Sequence, residues 1–258
     1  MPAGLAKFRG IQHNPGMIRT GPAILIFLAA LLAPLPAFAW SDDAERCFAV
    51  SYDAPLALGY CNRALEEPGL PDADRAAILN NRGVTHTSLG QFDEAARDFT
   101  AALDAGGPDV GTLNNRAIAL GWNGDHEAAL ADLEAAIDLD PQDSISFNNR
   151  CWLYAEMGRA EEALADCDEA LRLRPRDAIA IASRSYALLK AGRLDEALAD
   201  ADRAADLAPG FWQSWLYRAY VLEARGETAK AKTDFLKARA YGPKEWEVRR
   251  ALEKRGLL

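Results

Sequence analysis

The sequence has few of the residues from which catalytic and metal sites are built. Its 258 residues include three histidines and four cysteines. It contains no nucleophile-elbow, zinc-protease, phosphate-loop or dinucleotide-binding motif, and no CxxC pair that would indicate redox chemistry. His86 and His126 are far apart in the sequence. We therefore expect a protein with no catalytic activity, no cofactor and no bound metal.

Basic residues are also scarce. Lysine and arginine total 29 against 38 aspartates and glutamates, which gives a formal charge of −9 at pH 7. Nucleic acids and anionic membrane surfaces bind to basic patches. The composition therefore argues against nucleic acid as a partner, and it favours ligands that are neutral or basic.

Long apolar runs are equally rare. The run Ala23–Ala33 is too short to span a bilayer. Basic residues precede it and the small-x-small sequence Ala37-Phe38-Ala39 follows, which is typical of a secretory signal peptide over residues 1–39. Translation can start at Met1 or at Met17. We expect cleavage after Ala39, export to the periplasm or the medium, and no stable membrane span afterwards.

The rest of the sequence has a period of 34 residues. Glycine recurs at this spacing, and alanines and a closing proline keep the same interval; the glycines are Gly90, Gly124, Gly158, Gly192 and Gly226. Such a period indicates stacked repeats. Each repeat reads as two amphipathic helices separated by the glycine and ended by the proline. We place five units at 76–109, 110–143, 144–177, 178–211 and 212–245. A degenerate helix pair at 40–75 and a capping helix at 246–258 flank them.

The repeat pattern resembles the tetratricopeptide repeat (TPR) family. The residues that carry the resemblance in the first unit are Leu79, Arg82-Gly83, His86, Ala95, Phe99 and Ala102, and the last unit supplies Trp215 and Pro243. The resemblance implies an all-α fold, a right-handed superhelical solenoid of antiparallel helix hairpins. It also implies that the first helix of each unit lines a concave surface.

The cysteines are expected to form disulfides, because an exported chain meets an oxidising compartment. Cys151 and Cys167 occupy two places that face each other across the hairpin in this family, and Cys47 and Cys61 have nearly the same separation. The resemblance thus implies the pairs Cys47–Cys61 and Cys151–Cys167. The alternative is four buried free thiols.

An arginine and an aspartate recur 16 residues apart in all five units. Such strict repetition favours structural ion pairs, and the alternative is a row of arginines presented to an acidic ligand. The pairs are Arg82 with Asp98, Arg116 with Asp132, Arg150 with Asp166, Arg184 with Asp200, and Arg218 with Asp234.

A second set of recurring residues lies on the first helices and forms a candidate peptide-binding groove. Asparagine amides can bond a peptide backbone, and aromatic rings supply contact area; the alternative is that the asparagines are merely solvated. The set consists of Asn81, Asn115, Asn149, Val84, Ile118, Trp152, Tyr186 and Tyr220, with Trp122 and Lys190 at its edge.

Two functions fit this reading. The first is an exported scaffold or adaptor that holds a peptide or protein segment in the concave groove, and the second is a structural component of an envelope complex that assembles through its convex face or caps. Nothing in the sequence identifies the partner protein.

Overall fold

The computed structural model describes residues 41–49, 53–242 and 246–257. The predicted signal peptide and the cleavage point after Ala39 lie outside these residues. Within them the chain forms thirteen α-helices and no strand. The helices are α1 Asp42–Ala49, α2 Ala54–Leu65, α3 Asp72–Ser88, α4 Phe92–Gly106, α5 Val110–Asn123, α6 His126–Leu139, α7 Ser144–Glu156, α8 Ala160–Leu173, α9 Ala178–Lys190, α10 Leu194–Leu207, α11 Trp212–Ala224, α12 Thr228–Tyr241 and α13 Trp246–Glu253.

The helices pair as successive hairpins that stack on one another, so the fold is all-α and is a helical solenoid. We call α3, α5, α7, α9 and α11 the first helices and α4, α6, α8, α10 and α12 the second helices. The helix α3 starts at Asp72, four residues before the predicted start of its unit. Pro71 stands immediately before this first helical residue.

Local sequence sets the ends of each hairpin. In the third one, the Asp143 carboxylate accepts hydrogen bonds from the backbone N–H groups of Ile145 and Ser146 and so caps α7. After Met157, Gly158 adopts a φ of 75°, a conformation that side chains disfavour, and the chain reverses into α8. Asp143 therefore serves as the N-cap of α7.

The core lies between the two helices of each hairpin and between adjacent hairpins. Facing positions carry different pairs of residues in different units, for example Gly83 with Phe99, and Ala219 with Phe235, all buried. A Cβ atom at Gly83 would lie 2.7 Å from the Phe99 ring, so position 83 requires glycine while Phe99 keeps its place. Small and large residues thus complement each other across the hairpin.

The two ends of the array are closed by additional helices. At the start, α1 and α2 bury Ala57, Cys61 and Ala64. At the end, α13 buries Val248, Ala251 and Leu252 in the core of the last hairpin. No helix among the described residues has both the length and the apolar composition needed to cross a bilayer.

Candidate functional site

Aromatic side chains form a row along the first helices, in which Tyr186 packs against the cluster that contains Trp152. At the N-terminal end of the row, the Trp122 and Trp152 ring centroids are 4.8 Å apart, and Phe92 stacks near Trp122 at 6.4 Å. Trp152 is only 5 % exposed, because Trp122 and neighbouring side chains cover it. The sequence-predicted groove residues Trp122 and Trp152 are therefore in contact, with Trp122 nearer the solvent.

Three tyrosines continue the row toward the C-terminal end. Tyr186 stacks on Tyr217 with centroids 4.8 Å apart, and Tyr220 lies 6.3 Å from both rings. The Tyr186 hydroxyl donates a hydrogen bond to Glu156. Burial, together with the Glu156 and Glu247 carboxylates, raises the pKa of Tyr186. Burial and Glu247 likewise raise the pKa of Tyr217 and of Tyr220, so these hydroxyls remain protonated and uncharged at neutral pH.

The C-terminal helix lies against this row. Trp246, at the start of α13, meets both Phe92 and Trp122 edge-on, with centroid distances of 4.9 Å in each case. A Cβ atom at Gly90 would collide with Trp246 Cδ1, so the ring rests directly on the turn between α3 and α4. Glu247 is half-buried beside the tyrosines. The end of the array thus contacts its beginning.

The predicted asparagines bond to the preceding hairpin. Asn149 Nδ2 donates to Asn114 Oδ1 at 2.9 Å, and Asn115 Nδ2 donates to Asn80 Oδ1 at 3.0 Å. Asn81 Nδ2 donates to the Cys47 carbonyl oxygen at 2.6 Å. Each amide therefore already uses one donor in a bond to the preceding hairpin, and its contact with a ligand stays a prediction.

The other predicted groove residues surround the row. Val84 packs near Phe99, Ile118 packs beside the cluster that contains Trp152, and both are half-buried. Lys190 is exposed, with its Nζ 5.0 Å from the centroid of the Tyr186 ring. Val84 and Ile118 thus add apolar contact area beside the row, and Lys190 adds a cation at its edge.

Each arginine predicted to form an ion pair bonds its aspartate through two parallel hydrogen bonds. Arg150 Nε lies 2.6 Å from Asp166 Oδ2, and its Nη2 lies 2.9 Å from Asp166 Oδ1. The same two-bond geometry recurs in the other four units. Hydrogen bonding to Asp166 raises the pKa of Arg150 although burial opposes it. The five aspartates are buried and each holds its arginine, whose side chain stays partly exposed, so the structural role of these pairs stays a prediction.

The structure also brings the cysteines together in the two predicted combinations. Cys47 and Cys61 have sulfurs at bonding distance and Cα atoms 4.8 Å apart, and Cys151 and Cys167 have the same arrangement with Cα atoms 5.3 Å apart. These distances fit an oxidising, exported location.

Comparison with known protein families identifies the architecture. A family model described as tetratricopeptide repeat matches residues 80–144, 114–178 and 182–252. The chain belongs to the tetratricopeptide repeat family. No curated protein matches this TPR chain.

Solved TPR structures share the fold. A thermophilic TPR protein of Thermus thermophilus superposes with a TM-score of 0.63 at 22 % identity, over 71 % of this chain and all of that one. A tetratricopeptide repeat protein of Parabacteroides merdae gives 0.50 at 21 % identity, over 83 % of this chain and 98 % of the other. Yeast Tom70 gives 0.56 at 16 % identity, over 81 % of this chain and 46 % of its own length. At these identities the likeness shows the fold alone.

Sequence reasoning missed one part of the site in this TPR protein. It assigned Trp246 to a cap, but its contacts with Gly90, Phe92 and Trp122 join residues more than a hundred positions apart. A repeat period in the sequence cannot predict such a contact, because the contact depends on how strongly the stack of hairpins curves.

Among the described residues, no three His, Cys, Asp or Glu side chains cluster as a metal site would.

Proposed function

We propose that this TPR protein is an exported, non-catalytic scaffold that binds a protein or peptide segment on its first-helix surface. The observation that carries the proposal is the aromatic row from Trp122 to Tyr220, which is continuous, partly exposed and already in contact with a helix of the same chain. Aromatic rings on a rigid scaffold provide large contact areas at low entropic cost.

Export is proposed from the apolar N-terminal segment and from the two cysteine pairs. The charge of −9 favours a ligand that is neutral or basic. The asparagines each retain an oxygen or a second N–H for the backbone of a bound segment. If the remaining oxygen or N–H of Asn115 bonds to the bound segment, Asn115→Ala weakens binding of that segment by about 1 kcal/mol.

Photo-cross-linking in the native cell tests where the partner binds. A benzophenone amino acid replaces Ile118 or Tyr220 on the first helices, and, as a matched control, the exposed Glu134 on α6. We expect covalent adducts with a distinct protein from positions 118 and 220 and none from position 134. Adducts from position 134 alone would favour assembly through the second helices. Trp152→Ala is a poor probe, because this side chain is buried and its loss would disturb packing.

A further inference from the structure

We infer that the pocket formed by Gly90, Phe92 and Trp122 is a binding site for an aromatic side chain of the partner, and that Trp246 occupies it when no partner is bound. The inference rests on the proposed function and specifies the chemistry of the segment that is bound: a short, net-basic segment with an aromatic side chain, as in residues 246–257.

The pocket is shaped for a flat ring. Phe92 and Trp122 meet the Trp246 ring in edge-to-face arrangements, with interplanar angles of 86° and 66°. Gly90 forms the floor, and any side chain there would collide with the indole. The Arg250 guanidinium lies 5.0 Å from the centroid of the same ring. Edge-to-face packing of this kind is a favourable way to hold an aromatic group.

Trp246 and the rest of α13 have separable roles. Val248, Ala251 and Leu252 are buried in the core around Trp215 and Leu216 of the last hairpin, and they hold α13 in place there. Trp246 is half-buried and packs on the first two hairpins instead. Its ring can therefore leave the pocket while the apolar face of α13 still covers the last hairpin.

The C-terminal segment that contains Trp246 is opposite in charge to the chain as a whole. Residues 246–257 carry four basic side chains, Arg249, Arg250, Lys254 and Arg255, against Glu247 and Glu253, whereas the whole chain is acidic. Arg255 Nε donates to Glu223 at 2.8 Å and its guanidinium lies 4.2 Å from the Phe235 ring centroid. A partner segment that carries an aromatic side chain beside basic residues would compete with Trp246 for the pocket.

The test measures the affinity of the full mature protein, as wild type and as Trp246→Ala, for two probes. The probes are indole and a synthetic peptide of residues 244–257. We expect Trp246→Ala to bind both at least about tenfold more tightly than the wild type, because the competing ring is gone. The peptide with alanine in place of its tryptophan should lose this gain. Trp212→Ala is the matched control: it removes a half-buried tryptophan that contacts Phe211, away from the pocket, and should bind like the wild type.

Equal binding of indole and peptide by the wild type and Trp246→Ala would overturn the inference, as would binding by Trp212→Ala at the level of Trp246→Ala. Trp246→Leu provides a second variant that retains apolar volume. If both Trp246 variants fail to fold, Trp246 is a structural core residue and the inference is wrong. These results are independent of the cross-linking experiment: adducts at positions 118 and 220 without a Trp246 effect would leave the proposed function intact.

Discussion

Asn149 Nδ2 donates a 2.9 Å hydrogen bond to Asn114 Oδ1, and this bond joins α7 to α5. The bond between Asn115 and Asn80 joins α5 to α3 in the same way, with the same separation of 35 residues. The next step along the array pairs Ser183 with Asn148. Neither Asn148 Oδ1 nor Ser183 Oγ, both buried atoms, has a hydrogen-bond partner within the described part of the chain. The series of bonds stops where asparagine gives way to a shorter side chain.

Ser183→Asn is expected to extend the series and stabilise the protein. The longer amide places a donor where Asn149 has one in the preceding unit, within reach of the buried Asn148 oxygen, and a new buried hydrogen bond contributes about 1 kcal/mol. Urea unfolding followed by circular dichroism measures the change. The control is the same substitution in an Asn148→Ala background, where the gain should vanish. A loss of stability in both backgrounds would mean that Ser183, only 1 % exposed, has no room for the larger side chain.

Much of the fold could be predicted because each unit repeats the same local chemistry. The glycine, the apolar stripes and the closing proline are short-range signals, and they recur often enough to fix the pairing of helices. The Arg150–Asp166 geometry follows from the same repetition. The asparagines were harder to interpret, since an amide on a helix surface can face a ligand or a neighbouring helix, and only the distance between adjacent hairpins decides between them.

The ion pairs are expected to stabilise the hairpins. Arg150→Ala leaves the buried Asp166 carboxylate without its two-bond partner, and loss of one member of a buried pair costs roughly 3 kcal/mol. Arg172→Ala is the control, because Arg172 pairs with Glu169 on the exposed face of α8, where solvent weakens the interaction. Thermal unfolding should show a clear fall for the first variant and little change for the second. Equal melting temperatures for both variants would count against a structural role.

Processing of the N-terminus is expected between Ala39 and Trp40. The apolar run and the Ala-Phe-Ala sequence before this bond are the features that a signal peptidase recognises. Intact-mass spectrometry of protein recovered from the exported fraction should give a chain that begins at Trp40. Exported protein that still contains Ala23–Ala33 would argue instead for retention of this segment.

The two cysteine pairs are expected to be oxidised in the exported protein and to act on different parts of it. Cys151 and Cys167 join α7 to α8, and a cross-link closing a loop of this length stabilises by about 3 kcal/mol on loop-entropy grounds. The fourth unit holds Ser185 and Ala201 at the same two places without a cross-link. The double variant Cys151→Ala, Cys167→Ala should therefore fold, but unfold at a lower urea concentration.

Cys47 and Cys61 join α1 to α2 at the end of the array, where α1 has eight residues and buries only Ala44 and Cys47. So small an apolar face cannot hold the pair in place alone, and we expect Cys47→Ala, Cys61→Ala to lose amide protection in α1 and α2 while the later hairpins keep theirs. Hydrogen exchange read by mass spectrometry separates the two double variants. Non-reducing peptide mapping of the wild type must first show these two cross-links; free thiols, or a link between the pairs, would contradict the assignment. If both variants instead lost protection throughout the chain, the hairpins would unfold as one unit and the local role assigned to Cys47 and Cys61 would be wrong.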